Sequence, residues 1–84
     1  MKKIINVVGV GRRMTGTARN SGNPYDFTPV SFTFEDTDFR GLRCATVNID
    51  AESLGGHVPS VGDTLEVVMH EDFRTRRLYV DAVL

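Results

Sequence analysis

Hydrophobic and polar positions alternate along much of this chain with the period of two that marks half-buried strands. Ile4, Ile5, Val7, Val8 and Val10 form a β-branched run punctuated by Gly9 and Gly11. From Val30 to Phe34 the apolar residues alternate with Ser31 and Thr33. From Leu42 to Ile49 the alternation puts Ala45, Val47 and Ile49 on one face and Cys44, Thr46 and Asn48 on the other. Leu65, Val67, Val68 and Met69 make a fourth run, and Leu78 to Leu84 a fifth. No window of eleven residues sustains helical spacing. One helical turn is predicted over Asp50–Leu54, with Asp50 as its cap and Gly55 and Gly56 ending it.

Turn formers fill the gaps: Ser21-Gly22-Asn23-Pro24, Glu35-Asp36-Thr37-Asp38 and Gly62-Asp63. Pro24, Pro29 and Pro59 fall where a missing amide donor does least harm, at strand edges or in loops. Glycines at Gly9, Gly11 and Gly16 predict bulges or sharp coiling in the first strands. The expected architecture is all-β, a five-stranded antiparallel barrel of the OB type with protruding hairpin loops and one short helical turn. An open antiparallel sheet is the alternative.

At 84 residues there is room for one domain, spanning residues 1–84, with a small core that a subunit interface would help to stabilise. No apolar run approaches the roughly 18 residues of a membrane span. The stretch after Lys2 and Lys3 is broken by Asn6, Gly9 and Arg12, so no signal peptide is expected, and the expected location is the cytoplasm. Cys44 is the single cysteine, which excludes an internal disulfide and a cysteine-based metal site within one chain. The net charge of -1 hides an asymmetry. Residues 1–25 carry Lys2, Lys3, Arg12, Arg13 and Arg19 and no acid, whereas residues 26–72 hold ten acids against Arg40 and Arg43. Residues 73–84 return to positive with Arg74, Arg76 and Arg77 against Asp81. Basic ends around an acidic middle can bind a polyanion on one face while the whole protein stays near neutral.

Catalytic chemistry has little to work with. His57 and His70 fall in different elements, and Cys44 has no histidine neighbour in sequence. Asp36, Asp38, Asp50, Glu52 and Asp63 are scattered and lack calcium-loop spacing. Gly9-Val10-Gly11-Arg12-Arg13 lacks the third glycine and the following helix of a phosphate-binding loop. A non-enzyme without cofactor or metal is expected. Basic residues are instead interleaved with aromatics: Arg19 with Tyr25 and Phe27, Phe39 beside Arg40, and Phe73 before Arg74, Arg76 and Arg77. Cations that follow phosphates and rings that stack on unpaired bases are the equipment of single-strand binding. Phe32 and Phe34 are assigned to the core, while Tyr25, Phe39 and Phe73, flanked by turn formers and charges, are assigned to the surface.

The segment Gly16-Thr17-Ala18-Arg19-Asn20-Ser21-Gly22-Asn23-Pro24-Tyr25 resembles the DNA-binding hairpin of the gene V-type, helix-destabilising single-stranded-DNA-binding proteins of filamentous bacteriophages. Gly22-Asn23-Pro24-Tyr25 is its sharpest part. Weaker similarity continues through Phe32, Phe39, Thr46-Val47-Asn48-Ile49 and Leu78-Tyr79-Val80-Asp81. The resemblance implies an OB-type fold, a symmetric homodimer, and cooperative coating of single-stranded DNA during phage replication. It also implies that Arg19 meets phosphate, that Tyr25, Phe27 and Phe39 line the groove, and that Phe73 lies near the dyad. Asn23 stands where the family often has lysine, and Ala82 where it often has arginine. Cys44 aligns near a position that is often basic, and the hairpin is one residue longer than in the best-known member. Those departures leave Arg43, Arg74, Arg76 and Arg77 as substitutes for the charge contacts, and Arg12, Arg13 and Asn23 complete the expected nucleic-acid-binding residues. Binding or translational repression of single-stranded RNA, and a small β-barrel protein-interaction module, are the competing functions.

Overall fold

A computed structural model describes all 84 residues. The chain forms six strands and one short helix: β1 (Lys2–Val10), β2 (Met14–Thr17), β3 (Pro24–Glu35), β4 (Leu42–Asp50), α1 (Ala51–Leu54), β5 (Thr64–Asp72) and β6 (Arg77–Val83). All pairings are antiparallel. β3 is the spine. It pairs with β4 along one edge, and along the other first with β2 and then with β1. From β1 the sheet continues through β5 to β6.

The sheet curls until β4 and β6 come within 8 Å, yet no backbone ladder joins them. The expected barrel is therefore not closed by backbone pairing: the sheet is antiparallel and open, with a seam between β4 and β6. The expected five strands become six because the first run breaks at Gly11-Arg12-Arg13. Opposite that break stands Pro29, which has no amide to donate. The β1–β3 ladder ends at Val10↔Val30, and Gly11 donates its N–H to the Pro29 carbonyl at 2.8 Å. A Cβ at Gly11 would lie 3.1 Å from the proline ring, so the crossing is tight. Pairing resumes at Met14↔Phe27 as β2. A bulge between Val7 and Gly9 adds curl to β1 and leaves Val8 exposed.

Alternation decides the core. Val30, Phe32 and Phe34 of β3 point inward with Ile5, Val7, Val47, Ile49, Val67, Met69 and Leu78 from the other long strands. Leu54 of α1 plugs one end of this cluster. Asp50 occupies the cap position of α1, but its carboxylate accepts no amide hydrogen bond, contrary to the expected cap. Gly55, in the left-handed conformation, ends the helix as anticipated. No helix is long and apolar enough to cross a membrane.

Candidate nucleic-acid interface

The outward positions of β3 are Tyr25, Phe27, Pro29, Ser31 and Thr33, and they are matched across β4 by Asp50, Asn48, Thr46 and Cys44. At one end of this face β2 and β3 run on as a two-stranded ribbon, in which residues 24–26 pair with β2 alone. The ribbon closes where Ala18 donates to the Asn23 carbonyl at 2.8 Å and Gly22 donates to the Ala18 carbonyl at 2.9 Å. Arg19, Asn20 and Ser21 form the tip, and the Asn23 amide donates to the Ser21 hydroxyl. Arg19 makes no ion pair, so its charge is open to an incoming anion.

Tyr25 lies directly across from Gly16, and its ring covers that glycine. A Cβ at Gly16 would stand 2.5 Å from the tyrosine oxygen and 2.8 Å from Cζ. Glycine is thus what allows the ring to lie over the ribbon. Phe27 follows on the same face with ring centroids 5.7 Å apart, as the strand period predicts, and Tyr25 stays 40% exposed. Asp26, between them, points to the other face of the ribbon. There it accepts from Arg13 Nε at 2.8 Å and from Arg13 Nη2 at 2.5 Å. The Arg13 hydrogen bond holds the Asp26 carboxyl below its ordinary range. Arg13, counted among the expected nucleic-acid contacts, also borders a small pocket with Thr28, Leu54 and His57. Arg12 is exposed in the β1–β2 connection without a carboxylate partner.

A second group of predicted residues gathers at the far end of β3, about 33 Å of strand from Tyr25. Arg43 was expected to meet phosphate, and the structure commits it elsewhere. Its Nη1 donates to Asp36 Oδ2 at 2.9 Å and to Glu71 Oε1 at 2.6 Å. Its guanidinium lies 5.0 Å from the Phe39 ring centroid and 5.9 Å from that of Phe34. The cation closes the end of the core, because Arg43 stands opposite the inward-pointing Phe34. Phe39 is exposed, as expected, with Arg43 lying against its ring. Arg76 pairs through Nε with Glu71 at 3.2 Å. Phe73, in the β5–β6 turn, is 84% exposed, and neither Arg74 nor Arg77 has an acidic partner.

Asp36 gives this end of the molecule a pH signature. The Asp38 backbone amide, and then Arg43, hold its carboxyl below the ordinary value of 3.8. A depressed folded value contributes stability above the unfolded value and loses it as pH falls through the folded one. The urea midpoint is therefore expected to fall below about pH 4. Asp36→Asn should lower the midpoint at pH 7 and flatten its dependence between pH 5 and 3. A full acid dependence retained in Asp36→Asn would remove this carboxylate from the account.

Of the seven arginines expected to meet nucleic acid, Arg13, Arg43 and Arg76 are thus neutralised within the chain, and Arg12, Arg19, Arg74 and Arg77 are not. Between the two aromatic groups runs the unzipped seam, lined on one side by Thr46 and Asn48 and on the other by Arg77 and Tyr79. Sequence reasoning passed over Tyr79. The signal for it was the alternation Arg77, Tyr79, Asp81, which puts all three on the outer face of β6. No cluster of three or more His, Cys, Asp or Glu side chains is arranged to hold a metal ion. No protein-family model, curated protein or solved structure matches the chain.

Proposed function

We propose that this protein binds single-stranded DNA without regard to sequence, as an OB-type module of the kind that coats unpaired strands during replication. The observation that carries the reading is the Tyr25 ring, exposed over Gly16 with the half-buried Phe27 ring beside it, on a ribbon whose tip bears the unpaired Arg19. An exposed ring fixed in place stacks on any base, since every base has a π-face. Phe73 and Phe39 at the other end extend the ring surface over a length suited to several nucleotides. Strand order supports the OB reading too: β4-β3-β1-β5-β6, with the helix before β5 and the last gap between β4 and β6. A symmetric dimer belongs to the same proposal and would bring a second ribbon to the strand. RNA binding rests on the same rings, because stacking does not choose the sugar.

Four free arginines neutralising four phosphates give a single-strand salt slope of roughly -2.8, or about 50-fold weaker binding between 50 and 200 mM salt. Fluorescence titration with oligo-dT should show that slope, and Arg19→Ala should reduce it by about 0.7. Duplex DNA of equal length should bind more weakly than oligo-dT. Preference for the duplex, or no binding to either, would overturn the function.

A further inference from the structure

We infer that the seam between β4 and β6 is a nucleotide subsite, with the Tyr79 ring as its base platform and Arg77 as its phosphate contact. The inference rests on the single-strand reading above and adds to it a site at the far edge of β4, one strand removed from β3 of the ribbon. His70 of β5 and Tyr79 of β6 are cross-strand partners on the outer surface. Their rings stack with centroids 5.0 Å apart and only 16° between planes. His70 is held in turn, its Nδ1 lying 2.8 Å from Asp81 Oδ2. Parallel rings on adjacent strands stand up from the sheet, so His70 covers the Tyr79 face that looks toward β5. The other face of Tyr79 looks across the seam toward β4.

The space on that side is a groove of about 270 Å³ lined by Thr46, Val47, Asn48, Arg77, Leu78 and Tyr79. That is just below the roughly 300–1,000 Å³ of sites for drug-sized ligands, which suits one base and its sugar. Its chemistry is that of a nucleotide. Asn48 offers a carbonyl and an amide to a base edge, and both kinds of group are needed because bases carry donors and acceptors. Thr46 shares one hydroxyl bond with Ser31 at 2.8 Å and retains capacity for another. Arg77 makes no ion pair within the chain, and Thr75 Oγ1 accepts from its backbone amide at 3.3 Å, which fixes the start of β6 beneath it.

The platform is also prepared before binding. A tyrosine already stacked on histidine has given up its rotamer freedom, so less ordering entropy opposes the docking of a base. The missing β4–β6 ladder is what leaves room for it: a hydrogen-bonded closure would bring the strands to about 4.8 Å and shut the groove.

Photocrosslinking with oligo-dT carrying 5-iododeoxyuridine tests this on the unaltered protein. Trypsin releases the ribbon aromatics in the peptide 20–40 and Tyr79 in the peptide 78–84. Crosslinks in both peptides are expected. Crosslinks confined to 20–40 would overturn the subsite and leave the single-strand reading standing, whereas their absence from both would overturn the two together. In titration, Tyr79→Ala should weaken oligo-dT binding about 5- to 150-fold without changing the salt slope, and Tyr79→Phe should bind like the parent. Arg77→Gln should instead lower the slope by about 0.7. Unchanged affinity in a folded Tyr79→Ala, judged by circular dichroism, overturns the platform even where Tyr25→Ala is impaired.

Discussion

Phe32→Ala is expected to cost about 3–5 kcal/mol and to lower the urea midpoint steeply. Phe32 is fully buried at the centre of β3, the strand that every other sheet element reaches directly or through β1. Its ring centroid lies 5.8 Å from that of Phe34, so truncation removes both transfer energy and an aromatic contact. A domain of this length has a total stability of roughly 4–13 kcal/mol, which makes the loss a large share of the whole. An open sheet has little means of collapsing into the cavity, because β3 is pinned on both edges by ladders. Urea unfolding followed by circular dichroism gives the check. The control is Phe39→Ala, where the ring is half in solvent and the loss is confined to its contact with Arg43. Equal midpoints for the two variants would contradict the placement of the core.

Several of these features were legible in the chain because they are written in local alternation. Ala45, Val47 and Ile49 share a face in the sequence, and the structure buries Val47 and Ile49 while exposing Cys44, Thr46 and Asn48. Phe32 and Phe34 read as core and Tyr25, Phe39 and Phe73 as surface from their neighbours alone, and all five fall as expected. What escaped depends on partners far along the chain. Nothing in Leu42-Arg43-Cys44 announces Glu71, twenty-eight residues away, whose carboxylate captures the arginine. Arg13 lies in the three-residue break that resets the strand phase, so its face could not be counted from β1. Met14-Thr15-Gly16-Thr17 has no apolar alternation and becomes a strand only because β3 overhangs the body and offers it an edge. Whether the sheet closes was likewise beyond local reading, since it turns on whether β4 and β6 pair across more than twenty intervening residues.

Tyr25→Ala should weaken oligo-dT binding about 5- to 150-fold at every salt concentration, because one stacked base is worth roughly 1–3 kcal/mol and the term is not ionic. The salt slope should stay that of the parent, in contrast to the flatter line of Arg19→Ala. Gly16 sharpens the argument. Gly16→Ala keeps the tyrosine but puts a methyl group 2.5 Å from its hydroxyl oxygen, so the ring must leave its place over the ribbon. If the ring acts through its position, Gly16→Ala should reproduce much of the loss seen in Tyr25→Ala while changing the urea midpoint little, since β2 is exposed throughout. If the ring merely supplies apolar surface, Gly16→Ala should bind like the parent. Unchanged affinity in Tyr25→Ala itself would take the ribbon out of the interface altogether. The pair of variants therefore separates a placed stacking platform from an incidental exposed aromatic.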